Sequence, residues 1–250
     1  ILCMIFVPKK NALDTLQKRE AKAKETGKMT EEQLAKQKAN GSESEDTICT
    51  ADLTDDEILE GLNLLLIGDS IAVDVTDDFY EMFPNSVSDT KIGRITSLGK
   101  QVLDSYIDEK KWEGEGVIFA SLSNSPINGE LEDIREKIGK DMPLFLTTVR
   151  IPHDTFEEES NSKIKKFVEE NNHTYLIDWY AASEGHDEYF DADDTHLLSA
   201  GAKAYANCIK EAVLDAYKKE NIEIPKSRLV SSTDTSTDSS NDSSTDTSTE

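Results

Sequence analysis

The chain has 250 residues, 36% of them hydrophobic and 31% charged, with a formal net charge of −24. That length and apolar content supply one medium-sized core with polar flanks, and the acidic excess excludes nucleic acid, whose phosphates need clustered Lys and Arg. Cys3, Cys49 and Cys208 give no disulfide framework, and neither Cys-x-x-Cys nor His-Glu-x-x-His occurs, so no metal and no cofactor are expected.

Ile1 to Val7 form an unbroken apolar run that ends at Pro8-Lys9-Lys10. A membrane span needs about 20 residues, so the run is either an apolar strand or the end of a transmembrane helix. Residues 9–60 are mostly polar, basic before Lys38 and only acidic from Glu43 to Glu60. They read as a charged linker with short helices, because Thr30-Glu31-Glu32-Gln33 and Thr54-Asp55-Asp56-Glu57 each fit a capping box. The apolar run from Leu62 to Leu66 then closes on Ile67-Gly68-Asp69-Ser70, which predicts a buried strand turning into a helix with Ser70 at the turn.

Strands are expected near 62–67, 86–92, 115–121, 143–148 and 174–178, with helical patterns between and after them. Such alternation implies a parallel sheet covered on both faces, with a site beyond the strands' carboxyl ends. Ser70, Gly93, Asn124 and the segment Asp193-Asp194-Thr195-His196 all fall on that side. Asp178-Trp179 ends the fifth strand, where a buried tryptophan packing beside the terminus is favoured over a pocket residue. His186-Asp187-Glu188, next to Gly185, reads as a solvated loop rather than a metal patch. An amphipathic helix begins near Ser199, and Cys208 shares one of its faces with Tyr205, Ile209, Ala212 and Ala216, as a core residue would. Residues 231–250 contain only Ser, Thr, Asp, Asn and Glu, and can form no core.

A serine early and Asp-x-x-His late have the logic of a nucleophile and its base. Serine is inert at neutral pH unless a base takes its proton, and that base needs a third group to fix its tautomer and stabilise the imidazolium. Ser70, His196 and Asp193 are the residue types that chemistry requires. Acyl transfer also needs donors aimed at the developing oxyanion, for which the amides of Ser70 and Gly93 and the side chain of Asn124 are candidates. Taken alone, Gly93 reads equally well as a positive-φ strand terminator and Asn124 as a turn residue.

From about Leu62 to Tyr217 the chain resembles the SGNH hydrolases, specifically the extracellular domain of Gram-positive peptidoglycan O-acetyltransferases, the C-terminal part of acyltransferase family 3 membrane proteins. The residues that carry the resemblance are Gly68-Asp69-Ser70, Phe83-Pro84, Lys91-Ile92-Gly93-Arg94, Ser123-Asn124, Ile177-Asp178-Trp179 and Asp193-Asp194-Thr195-His196-Leu197. It implies a three-layer α/β/α sandwich on a parallel, flavodoxin-like five-stranded sheet, with Ser70 as nucleophile, Asp193 and His196 completing the triad, and Gly93 and Asn124 in the oxyanion hole. It further implies a transmembrane end at 1–8, a linker at 9–60, the catalytic domain at 61–218 and a disordered tail at 219–250. The domain would stand outside the cell membrane, tied to it through the N-terminal segment, take acetyl groups from a donor delivered by an upstream membrane acyltransferase module, and pass them to the 6-hydroxyl of muramic acid or another glycan. A carbohydrate acetyl esterase and a non-catalytic carbohydrate-binding module of the same fold are the alternatives. Two positions depart from the family pattern: Leu122-Ser123-Asn124-Ser125 stands where Gly-Thr-Asn-Gly is common, and Ile95 where glutamine is usual.

Overall fold

The computed structural model describes residues 10–39 and 46–229. The expected transmembrane end at 1–8 and the polar tail from 231 lie outside the described residues. Helix α1 spans Lys10–Ala39, β1 Thr47–Cys49 and α2 Asp55–Gly61, after which β2 (Leu64–Gly68) opens the central sheet. There follow α3 (Ser70–Met82), β3 (Val87–Thr90), α4 (Thr96–Asp108), β4 (Gly116–Ala120), α5 (Glu130–Ile138) and β5 (Leu144–Thr147). α6 (Glu157–Glu170), β6 (Thr174–Ile177), α7 (Trp179–Ala182), α8 (Ser199–Glu220) and β7 (Glu223–Pro225) are the last helices and strands among the described residues.

The five-stranded sheet is parallel throughout, in the order β3-β2-β4-β5-β6. Every residue of β2, β4 and β5 is buried, which is why these strands read as continuous apolar runs rather than alternating ones. The period of two still sorts their side chains between two cores. Leu64, Leu66, Ile118 and Phe145 pack on one face with α2, α3 and α8, while Leu65, Ile67, Val117, Phe119 and Leu146 pack on the other with α4, α5 and α6. The chain leaves β2 toward β3 on one side and continues to β4 on the other, so the reversal that opens a crevice at the carboxyl edge lies at β2.

Two expectations about the flanks need correction. The capping box at Thr54 holds, with Thr54 and Glu57 exchanging both bonds, but Thr30 starts no helix. It lies inside a continuous 30-residue α1, where its hydroxyl donates to the carbonyls of Thr26 and, across the interface, Ser88. Gln33 reaches the Pro84 carbonyl instead of its own backbone. Between Lys10 and Ala39 the chain contains no proline and many strong helix formers, and docking on β3 and α3 supplies partners that a solvated linker lacks. The domain also does not end at 218. α8 runs to Glu220, Asn221 caps it in the left-handed conformation, and β7 returns antiparallel to β1. Ile224 is fully buried and Arg228 pairs with Glu115 at 2.7 Å, so residues 219–229 fold with the domain.

Gly68 sets the strand-to-helix turn by close approach. A Cβ there would lie 2.1 Å from the Cβ of Ala72 and 3.2 Å from Cγ2 of Thr90. Gly68→Ala should therefore lower stability by about 1–3 kcal/mol through overpacking, read as a reduced urea midpoint at unchanged slope. A wild-type midpoint would mean that strand and helix are not in this contact.

Candidate active site

At the end of β2 the backbone turns through Asp69, the N-cap of α3, whose Oδ1 accepts from the amide of Ile71 at 3.0 Å. Its other oxygen accepts from the amide of Ser123 at 3.1 Å and from the Ser123 hydroxyl at 2.5 Å. Asp69 is completely buried. Burial pushes its carboxyl above the usual carboxylate range, and the bonds from Ser123 and Ile71 and the nearby His196 oppose that push. One side chain thereby fastens the end of β2, the first turn of α3 and the loop after β4.

Ser70 follows as the first residue of α3 and is only 6% exposed. Its hydroxyl lies 3.0 Å from Nε2 of His196. Nδ1 of the same ring lies 2.7 Å from Oδ2 of Asp193. With Nδ1–H donating to that carboxylate, Nε2 is left with a lone pair facing the serine proton. Asp193 is held in turn by the loop itself, its Oδ1 accepting from the amides of His196 at 2.9 Å and Thr195 at 3.2 Å. Burial pulls the Asp193 carboxyl upward, but its bonds with the backbone and ring of His196 and the amide of Thr195 outweigh that and hold it below the ordinary range. It remains an anion beside the imidazole.

The neighbouring acid does something else. Asp194 adopts a left-handed φ of 56°, which turns its side chain away to His153, 3.2 Å distant. The loop that carries His196 is closed by a bridge between Phe190 and Leu197 and by the amide of Asp191 donating to the His196 carbonyl at 2.8 Å. Asp74, one helical turn beyond Ser70, accepts from the amide of Leu197 at 3.1 Å.

Gly93 has a φ of 68°, a conformation costly for side-chain-bearing residues, and it ends the turn after β3. The next residue, Arg94, is buried and donates to the carbonyl of Gly68 at 3.1 Å and to Asp89 through its carbonyl at 2.6 Å and its carboxylate at 2.5 Å. The Ser121 hydroxyl donates to the Arg94 carbonyl, and the amide of Thr96 donates to Ser125. The Gly93 turn is thus tied both to the end of β2 and to the loop bearing Asn124. Asn124 is exposed, and its amide nitrogen donates to the Ser123 hydroxyl at 3.3 Å. The hydroxyls of Ser123 and Ser125 accept these bonds.

All five candidate residues lie at the carboxyl edge of the sheet, and Ser70, His196 and Asp193 are in direct contact. Sequence reasoning assigned no role to Asp69, Asp74 or Arg94. Only Asp69 carried a local signal, since aspartate is a preferred N-cap; the other two act across contacts with no sequence spacing to reveal them. Asp178 caps α7 and binds Thr148 and Lys165 at 3.0 and 2.9 Å. Trp179 is fully buried against Tyr189, Phe190 and Tyr205. Cys208 is half-buried, and burial pushes its thiol up to about 11.

No protein-family model matches the chain. It is 34% identical over 146 residues to the O-acetyltransferase OatA of Staphylococcus aureus, a match covering 58% of this chain and 24% of that protein. The chain thus spans about a quarter of the length of this curated relative. Its fold matches the C-terminal catalytic domain of the peptidoglycan O-acetyltransferase OatA of Streptococcus pneumoniae, determined with a methylsulfonyl adduct, at a TM-score of 0.57 and 22% identity over 62% of this chain and 94% of that one. A family 3 carbohydrate esterase of Clostridium thermocellum matches at a TM-score of 0.52 and 12% identity over 64% and 99% of the two chains. The chain is homologous to OatA and has the SGNH-hydrolase fold.

The different partners of the two adjacent acids give opposite expectations. Asp193→Asn should lower kcat for a chromogenic acetyl ester by a factor on the order of 10⁴, because the amide favours the wrong imidazole tautomer, whereas Asp194→Asn should change it by less than about tenfold. The reverse ranking in steady-state kinetics would remove Asp193 as the orienting acid.

Proposed function

We propose that the chain is the catalytic part of a cell-surface O-acetyltransferase that moves an acetyl group through a serine acyl-enzyme to a peptidoglycan sugar, the 6-hydroxyl of muramic acid. The observation that carries the reading is the unbroken chain from Ser70 Oγ through His196 to Asp193, with contacts of 3.0 and 2.7 Å. The homology to the Staphylococcus aureus O-acetyltransferase supports the choice of transfer, and the likeness to the catalytic domain of a peptidoglycan O-acetyltransferase supports peptidoglycan as acceptor.

In the first half-reaction Ser70 Oγ attacks the acetyl carbonyl of the donor while His196 Nε2 takes its proton. The amides of Ser70 and Gly93 and the side chain of Asn124 face the oxyanion, and Asp193 stabilises the imidazolium. As the tetrahedral species collapses, the carbon–oxygen bond to the donor breaks and His196 returns the proton to the leaving oxygen. In the second half-reaction His196 deprotonates the sugar hydroxyl, which attacks acetyl-Ser70. Collapse releases the acetylated sugar, and Ser70 recovers its proton. The role of Asn124 and Gly93 is to hold charge in both halves.

The donor reaches Ser70 from an upstream membrane module, and the domain stands outside the membrane. The curated relative is about four times as long as its matched part, 24% of its length, which leaves room for such a module there. Among the described residues no helix is long and apolar enough to cross a membrane. An esterase differs only in the acceptor, since water would take the place of the sugar hydroxyl.

Acceptor competition tests the reading. With an activated acetyl ester and chitooligosaccharide or muropeptide acceptors, mass spectrometry should find acetylated sugar, and acceptor should speed release of the leaving group if deacylation is limiting. Ser70→Ala should abolish both, and Asn124→Ala should lower both by a similar factor, on the order of 10²–10³. Free acetate alone across all acceptors would make the protein an esterase, and full turnover by Ser70→Ala would end the serine mechanism.

A further inference from the structure

The backbone of His196 is held on both sides by groups that meet at one cation from α1. Its carbonyl accepts from the amide of Asp191 at 2.8 Å. The next amide, that of Leu197, donates to Asp74 at 3.1 Å. Arg19 lies between these two acids, with Nε 3.5 Å from Asp74 and Nη2 3.5 Å from Asp191. The side chains of Arg19 and Asp74 are each only 11% exposed, so the pair is screened little by solvent salt. One turn along α1, Lys22 donates to the Asp74 carbonyl at 2.8 Å and faces Asp77 at 3.3 Å. Further along, Thr26 and Thr30 bind Thr90 and Ser88 of β3. α1 is therefore fixed along its length, and Arg19 is presented at a defined height above the turn that begins α3.

We propose that Arg19 is a positioning residue for the proposed triad, with α1 serving as a strap that holds the His196 loop against the first turn of α3. This rests on Ser70 and His196 acting as nucleophile and base. The physical argument has two steps. Asp74 is largely out of water, and burial pushes its carboxyl upward while Arg19, the Leu197 amide, His196 and Lys22 pull it back. A carboxylate there binds the Leu197 amide more strongly than a neutral acid does. The guanidinium, as a planar fork, also spans two carboxylates that would otherwise repel each other across the loop. Loss of Arg19 leaves two neighbouring anions with no shared counter-charge, and the loop separates from α3. Ser70 Oγ and His196 Nε2 then spend less time at bonding distance. A displacement of this kind slows chemistry without removing a binding contact, so it appears in kcat rather than KM.

The test uses the whole chain with an activated acetyl ester. Arg19→Gln preserves helix propensity and removes the charge, and should lower kcat by about tenfold or more with KM unchanged and the thermal unfolding midpoint near wild type. Arg19→Lys keeps one charge and should recover a large part of that loss. The Arg19→Gln/Asp74→Asn double variant should be no slower than Asp74→Asn alone, because both changes break the same strap. A wild-type kcat for Arg19→Gln, equal losses in Arg19→Gln and Arg19→Lys, or multiplicative losses in the double variant would each overturn the proposal. Ser70→Ala keeps the two claims apart. If it is inactive while Arg19→Gln is not, the strap alone fails; if Ser70→Ala is active, the triad fails.

Discussion

A carboxylate sealed from solvent at the junction of three elements, Asp69, is the constraint on which the site depends. Burying a carboxyl group is costly unless its oxygens are hydrogen-bonded, and here Ile71 and the two donors of Ser123 satisfy them. Those bonds cannot form unless the end of β2, the start of α3 and the loop after β4 are all in place. The same residue that begins the helix therefore fixes where Ser70 emerges and where Asn124 begins. Arg94 repeats the device with the opposite charge, joining the Gly68 carbonyl to Asp89 at the ends of β2 and β3. Between them, the three loops that carry Ser70, Gly93 and Asn124 form one hydrogen-bonded unit above β2.

The histidine loop is separate from that unit in sequence and meets it at the contact of His196 with Ser70 and at the bond of the Leu197 amide to Asp74. The Asp193 carboxylate holds the ring, the backbone amide of Asp191 the carbonyl and the Asp74 carboxylate the following amide. A chain with a net charge of −24 has carboxylates to spare, yet those near His196 are each engaged by a donor or a cation. The local result is an imidazole beside a depressed, ionised Asp193 rather than a diffuse negative field. That arrangement suits the proposed reaction, because charge develops on His196 only in passing and Asp193 is there to oppose it.

The centre of the sheet was legible in the sequence because β2, β4 and β5 are buried on both faces and so read as short, continuous apolar runs. The elbow at Gly68-Asp69-Ser70 was legible because a strand must end and a helix begin there. Ser70, His196 and Asp193 could be proposed together because their chemistry demands particular types, and the structure brings them into contact. What could not be read depends on distance along the chain. The bonds of Asp69 to Ser123 cross 54 residues, and Arg19 reaches Asp191 across 172. The long α1 was misread because its polar surface resembles a linker, and Thr30 and Gln33, which mimic a capping box, in fact bind β3 and the turn before it. The border at 218 was misplaced because Ile222 and Ile224 make only a short apolar alternation between the charged end of α8 and Pro225. Pairing with Thr47–Cys49 places Ile224 in the core shared by α2 and α8.

The central claim is that Ser70 carries the acetyl group because His196 and Asp193 make it nucleophilic. Rapid mixing with an activated acetyl ester, acid quenching within the first turnover and peptide mapping by mass spectrometry measure this directly. The account predicts one acetyl group per chain, located on Ser70 and absent from chains in which His196 is replaced by Ala. Acetylation of another residue, or none in a chain that turns over, would contradict it.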